Sequence, residues 1–190
     1  MSNRVCPWWM GYVLASPVRK WLGQDPENIL RPYVREGMTV LEPGPGMGFF
    51  TISLARLVGA AGRVVAIDLQ PKMIAVLKRR AAKTKLLDRI DARVTSSETL
   101  GLDDLEGKID FTLAFAVVHE LPDAAHFFQE IARVSKPDAM LLLVEPRGHV
   151  NEAKFGAELS EAGAAGFAIA ARPAIGRSHA ALLTKARELG

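Results

Sequence analysis

Residues 40–51 read VLEPGPGMGFFT: a short apolar run enters a glycine-rich turn, and an amphipathic stretch starts near Phe49. That order predicts a strand, a tight turn and a helix. Gly44, Gly46 and Gly48 admit positive φ and carry no side chain, so a ligand lies close against the backbone where the strand ends. The next apolar run ends at Asp68, 20 residues after Gly48. A carboxylate there accepts hydrogen bonds from both hydroxyls of a ribose. Its alternative role is a helix N-cap ahead of Pro71.

The spacing argues against one nucleotide class and excludes another. A dinucleotide fingerprint starting at Gly44 needs glycine or alanine at position 49, where Phe49 stands, and the third glycine arrives one residue early as Gly48. No G-x-x-x-x-G-K-[ST] is present, so there is no phosphate-binding P-loop. Glu42 precedes the first glycine by two residues and would repel a diphosphate while attracting an ammonium or sulfonium.

Outward from this turn, apolar runs alternate with amphipathic stretches from residue 37 onward, the rhythm of a parallel sheet covered by helices on both faces. Strands are expected at Thr39–Glu42, Arg63–Asp68, Ile90–Val94, Ile109–Phe115, Met140–Glu145, Phe167–Arg172 and Ala180–Thr184. The intervening helices bury Met73, Ile74 and Leu77, then Phe127, Ile131 and Val134, then Phe155 and Leu159. Pro71 suits a first turn, Asp123 and Asn151 suit N-caps, and Gly163 supplies a C-terminal stop. The last two strands are joined by Pro-Ala-Ile-Gly-Arg, too short for a crossover helix, so they form an antiparallel hairpin. The predicted fold is a doubly wound, seven-stranded, mostly parallel α/β sheet with an antiparallel C-terminal hairpin. Residues 1–36 form a helical cap and residues 37–190 the body, together one compact domain.

Composition supports a packed globular chain: 49% of the 190 residues are hydrophobic and 24% charged. Cys6 is the only cysteine, which excludes an internal disulfide and a cysteine-based zinc site and fits a reducing, cytoplasmic setting. A charge of +3, from 24 Lys+Arg and 21 Asp+Glu, lacks the basic excess of a dedicated nucleic-acid binder. Lys78, Arg79, Arg80, Lys83 and Lys85 cluster along one helix and read as a solvated face. No apolar run is long enough to cross a bilayer. Arg4 and the apolar stretch after it resemble a short signal peptide only crudely, since Pro7 interrupts the run.

Taken together, residues 37–185 resemble the class I S-adenosylmethionine-dependent methyltransferases, in the branch that acts on small molecules. LEPGPGMG is similar to the family's first motif, which implies that Glu42, Gly44, Pro45, Gly46 and Gly48 hold the methionine portion of S-adenosyl-L-methionine. VVAIDLQ resembles the second-strand motif, implying Asp68 on the ribose and Leu69 beside the adenine. IDFTLAFAVVHELPD and MLLLVEPRGHV resemble the fourth and fifth strands, and the resemblance adds Phe115 to the cofactor-binding set. The sequence departs from the family after the third strand. RVTSSETL stands where Gly-Asp-Ala is common, leaving Ser96, Ser97 or Glu98 to meet the adenine.

Methyl transfer from a sulfonium is an in-line displacement that positioning and exclusion of water accelerate, and a general base is needed only when the acceptor must lose a proton. His119, Glu145 and His149 follow strands four and five, where a substrate lies in this fold, and are the candidate catalytic residues. Glu120 follows strand four as well. His119 also has a plain structural reading, bonding to loop backbone, and Glu145 could cap a helix or pair with Arg147. No Asp-Pro-Pro-Tyr or Asn-Pro-Pro-Tyr follows strand four, which argues against a nucleobase amine as acceptor. Trp8, Trp9 and Trp21, with Met10, Tyr12, Val13 and Leu14, either pack as an added helix or form a lid over an acceptor pocket. Competing functions are methylation of RNA or protein, nicotinamide-dependent oxidoreduction, and cofactor binding without turnover.

Overall fold

The computed structural model of the chain describes residues 25–96 and 99–186. The tryptophan-rich segment, and Ser97 and Glu98, lie outside the described residues. Seven strands form one mixed sheet of order β3-β2-β1-β4-β5-β7-β6. The chain divides between Gly101 and Leu102 into two compact units.

The first described element of the first unit is a short helix, α1 (Pro26–Leu30), started by Asp25, whose carboxylate accepts from Glu27 N–H, and by Pro26 in the first turn. Then come β1 (Thr39–Pro43), α2 (Thr51–Leu57), β2 (Arg63–Asp68), α3 (Pro71–Lys83) and β3 (Ile90–Val94). β1 pairs with β2 and β2 with β3, both parallel. Val64, Val65, Ala66 and Ile67 are all buried, as a strand covered on both faces requires. On α3 the predicted stripe of Met73, Ile74 and Leu77 is buried, joined by Ala81. α2 starts two residues later than the sequence suggests, because Gly46 and Gly48 at positive φ keep residues 46–50 in turns.

The second unit contains β4 (Ile109–Phe115), α4 (Ala124–Val134), β5 (Ser135–Pro146), α5 (Glu152–Ala164), β6 (Phe167–Ala171) and β7 (Ser178–Lys185). β4 and β5 are parallel, whereas β7 runs antiparallel to both β5 and β6, which gives the expected hairpin. Asp123 and Asn151 cap α4 and α5 as predicted, accepting from His126 N–H and Lys154 N–H at 2.9 Å each. Phe127, Phe128 and Ile131 bury the inner face of α4, each worth about 1.5–3 kcal/mol of removal from water.

Three local expectations are corrected here. β5 begins at Ser135 rather than Met140: the pairing jumps from Ile109 opposite Ser135 to Phe111 opposite Met140, and Asp138 in the extra segment has φ +63°. Lys-Pro-Asp-Ala is therefore a bulge within the strand, not a loop before it. α5 runs through Gly163, and the chain leaves it at Gly166, where φ is +93° and the N–H donates to the Gly163 carbonyl. The inner stripe of α5 is Phe155, Glu158 and Ala162, with Leu159 only half-buried.

Candidate functional site

Two clusters of polar side chains stand at carboxyl ends of strands, one in each unit. The first surrounds the glycine loop after β1. Gly44, Gly46 and Gly48 have φ of +66°, +53° and +83°, so all three occupy the left-handed region. Gly44 N–H donates to the Ile67 carbonyl at 2.9 Å, tying the loop to β2, and Gly48 N–H donates to Pro45 O at 2.9 Å. The glycines differ in purpose. A methyl group added at Gly48 would overlap Leu77 Cδ1, whereas one added at Gly46 would meet nothing within 4 Å. Gly48 lets α3 pack against the loop, and Gly46 leaves open space beside it.

Arg80, which the sequence places on a solvated basic face, instead turns inward: its Nη1 donates to Met47 O at 2.6 Å and holds the loop to α3. Only a donor to a loop carbonyl 33 residues earlier distinguishes it from its charged neighbours.

Glu42, one residue before the end of β1, is 3% exposed. Burial, reinforced by the nearby Asp68 charge, pushes its carboxyl up to about 8. The Thr51 hydroxyl offsets part of this without meeting hydrogen-bond geometry, and Glu42 Oε2 has no partner among the described residues. A buried carboxyl oxygen without a partner beside an open loop is ready to ionise when a cation lies against it. Asp68 closes β2, and its Oδ1 accepts from Gln70 N–H at 2.8 Å, so it shapes the entry to α3 without being the N-cap. Leu69 is exposed. Ser96 is exposed and its hydroxyl accepts from Thr99 N–H at 3.3 Å; Ser97 lies outside the described residues.

The second cluster follows β4 and β5. Phe115 ends β4 half-buried, and the chain turns through Ala116 at φ +55°, whose N–H donates to the Val144 carbonyl. A single 3-10 turn, Val118–Glu120, comes next. Glu145, fully buried on β5, accepts from Val118 N–H at 2.8 Å, from His119 N–H at 3.4 Å and from His119 Nδ1 at 2.5 Å. Glu145 therefore caps the turn and fixes the imidazole at once. It does not pair with Arg147, whose Nε donates to Ser178 O at 3.4 Å. His119 does not adopt its plain structural reading either, since its ring bonds a carboxylate rather than loop backbone. That bond raises the His119 pKa above its ordinary value, against the opposing effect of burial. With Nδ1 donating to Glu145, the neutral ring presents Nε2 as its basic atom.

His149 is exposed, with its ring centroid 5.4 Å from that of His119. Lys154 Nζ donates to His119 O at 3.3 Å. The cluster also contains Glu158, which sequence reasoning missed. Its signal was present: Glu158 lies three residues after Phe155 and four before Ala162, a carboxylate on an apolar stripe.

Residues 34–174 match the family described as the methyltransferase domain. The chain belongs to this family. The domain is 30% identical over 112 residues to the ubiquinone/menaquinone biosynthesis C-methyltransferase UbiE of Hydrogenovibrio crunogenus, covering 59% of this chain and 43% of that protein. It is also 30% identical over 150 residues to the ribosomal protein L11 methyltransferase of Pelotomaculum thermopropionicum, covering 79% of this chain and 44% of that one. The match thus spans less than half the length of either curated relative. Among solved structures, a SAM-dependent methyltransferase from Aquifex aeolicus superposes with a TM-score of 0.82 at 27% identity, covering 95% of this chain and 98% of that one.

The fold is accordingly that of class I methyltransferases, and S-adenosyl-L-methionine is the cosubstrate of the domain. The residues present fit that molecule on physical grounds: Glu42 offers a buried carboxyl oxygen without a partner, which a nearby cation would ionise, and Gly46 leaves room beside the backbone. Among the described residues, no helix is long and apolar enough to cross a membrane, and no group of three His, Cys, Asp or Glu side chains could hold a metal ion.

Proposed function

We propose that the protein transfers a methyl group to a small-molecule acceptor whose accepting atom carries an ionisable proton, with His119 as the general base and Glu145 as its orienting partner. The observation that carries this reading is the 2.5 Å bond from His119 Nδ1 to the fully buried Glu145. A carboxylate that fixes one ring nitrogen leaves the other basic, and the raised pKa makes it a stronger base near neutrality. His149, exposed beside the ring, contacts the acceptor rather than the proton.

On the cosubstrate side, Glu42 neutralises the cationic end of the ligand, the backbone of Gly44, Pro45, Gly46 and Gly48 lies along it, and Asp68 accepts from the ribose hydroxyls. Leu69 and Phe115 provide apolar contact, with Ser96 or Ser97 for the adenine. When bound, S-adenosyl-L-methionine supplies an electrophilic methyl group on sulfur. The small-molecule acceptor rests on the likeness to the quinone-pathway enzyme and on the weak basic excess of the chain, and Cys6 as the sole cysteine favours the cytoplasm. A protein acceptor is the second reading, favoured by the 150-residue match to the ribosomal protein methyltransferase.

The test uses methyl-labelled S-adenosyl-L-methionine with a cell extract separated into small-molecule, protein and RNA fractions. Label in the small-molecule fraction, lost with His119→Gln, is expected. Label confined to protein or RNA overturns the small-molecule acceptor, and full transfer by His119→Gln overturns the base.

A further inference from the structure

Arg80 is half-buried on α3, whereas its neighbours Lys78, Arg79 and Lys83 are exposed. The helix explains the placement. Residues three apart share a face, so Arg80 follows Leu77, which lies on the buried stripe. Leu77 and Arg80 then meet two successive residues of the glycine loop. Leu77 Cδ1 occupies the space that a side chain at Gly48 would fill, and Arg80 Nη1 donates to Met47 O at 2.6 Å.

These contacts converge on a single peptide unit. The peptide joining Met47 to Gly48 is planar, with its C=O and N–H pointing in opposite directions. Arg80 holds the oxygen, and the Gly48 N–H donates to Pro45 O at 2.9 Å. The plane is gripped at both ends, where Gly48 at φ +83°, without a side chain, would otherwise let it turn over. Burial lowers the Arg80 pKa, but a guanidinium stays charged in a protein, so the bond to Met47 O is charge-assisted. At its other end α3 adjoins Asp68, whose Oδ1 accepts from Gln70 N–H at 2.8 Å directly ahead of Pro71. One helix therefore sets both the loop and the carboxylate at the end of β2.

We propose that Arg80 is a positioning residue for S-adenosyl-L-methionine: it holds the Met47–Gly48 peptide in the ligand-binding conformation before the ligand arrives, acting through the loop backbone rather than on the ligand. This rests on the reading that the loop of Gly44, Pro45, Gly46 and Gly48 carries the cosubstrate. A glycine-rich loop is costly to order, and a loop ordered during folding spares the ligand that cost. Removing the guanidinium transfers the ordering of one residue to the binding step, which is about 5- to 30-fold in affinity.

The experiment compares wild type, Arg80→Met and, as control, Arg79→Met. Methionine keeps an apolar stem and is close to arginine in helix propensity, so α3 is retained. Two quantities are read: amide hydrogen exchange of the ligand-free protein by NMR, and S-adenosylhomocysteine affinity by calorimetry. In Arg80→Met the Gly48 amide should exchange faster and affinity should fall, both by that factor, while the Gly44 amide, tied to Ile67 O, keeps its rate. Loss of protection spread through α3 and β2 would mark a purely structural role and overturn the proposal. Weaker binding with Gly48 exchange unchanged would make Arg80 a ligand contact, and equal weakening in Arg79→Met would make it part of a general charge attraction. Either overturns the proposal, as does unchanged affinity in Arg80→Met. Should that variant fail to fold, ligand-free wild type decides: a Gly48 amide exchanging at the rate of an open loop overturns the proposal, and a protected one supports it. The exchange readings need no ligand, and Gly46→Val tests the loop reading by itself, so the two failures are distinguishable.

Discussion

Replacing Glu42 with glutamine separates what the buried carboxyl costs the fold from what it gives a ligand. Burial, with Asp68 nearby, pushes this carboxyl up to about 8 in the folded protein. In the unfolded chain it titrates at the ordinary value of about 4.3. The folded state therefore holds the proton more tightly. Below the unfolded value both states are protonated and the shift has no effect; as pH rises the unfolded chain ionises first, and stability falls until the folded carboxyl ionises as well. The loss is about 3.5 kcal/mol at pH 7 and about 5 kcal/mol when fully developed. Glutamine keeps the shape without the titration. In urea unfolding, Glu42→Gln should thus gain on wild type by about 3–4 kcal/mol between pH 5 and pH 8. Calorimetry should show the opposite for the ligand, with S-adenosyl-L-methionine bound more weakly by about 1.5–3 kcal/mol, because an amide cannot neutralise a cation. A stability difference that does not change with pH refutes the burial argument. Unchanged affinity in the folded variant refutes the ligand role.

Other outcomes follow from the same geometry. Asp68→Ala should weaken S-adenosylhomocysteine by about 1.5–3 kcal/mol in calorimetry, and normal binding by a folded variant would remove Asp68 from the ribose. Gly46→Val should fold and lose the cofactor, since a side chain there enters open space at a strained φ, whereas Gly48→Ala should lower the melting temperature by forcing Leu77 aside; normal cofactor binding by the valine variant would move the site elsewhere. Glu145→Ala should cost about 3–5 kcal/mol and lower the His119 midpoint seen by NMR. His119, raised by this pair, contributes stability that is present below its unfolded pKa and lost as pH rises through the folded value, so the variant's deficit should shrink at alkaline pH. Removing residues 1–24 should leave cofactor affinity intact while methyl transfer falls sharply; full turnover by a folded truncation would make the aromatic segment dispensable.

What the sequence disclosed about this protein follows a physical division. Signals that are local in the chain were legible: apolar runs gave β1 to β4 within a residue, Asp123 and Asn151 gave the caps, and a short connection without room for a helix gave the hairpin. The glycine turn was legible because positive φ leaves a mark on residue type. What was missed depends on partners distant in sequence. Lys-Pro-Asp-Ala looks like a loop until β4 supplies the neighbour against which it bulges. Arg80 is indistinguishable from Arg79 until a carbonyl 33 residues away accepts its proton. Glu145 offered three readings, and only the folded position of Val118 and His119 chose among them. Glu158 is the sharpest case, because its position on an apolar stripe was visible but hydrophobic periodicity assigns the inner face to Leu159 by default. A carboxyl is placed there against the hydrophobic preference, and burial, reinforced by the Glu145 charge, raises its pKa to about 7. Violations of patterning of this kind concentrate where chemistry is done, and among the described residues both buried carboxyls with an unpaired oxygen, Glu42 and Glu158, fall within the two clusters at the ends of the strands.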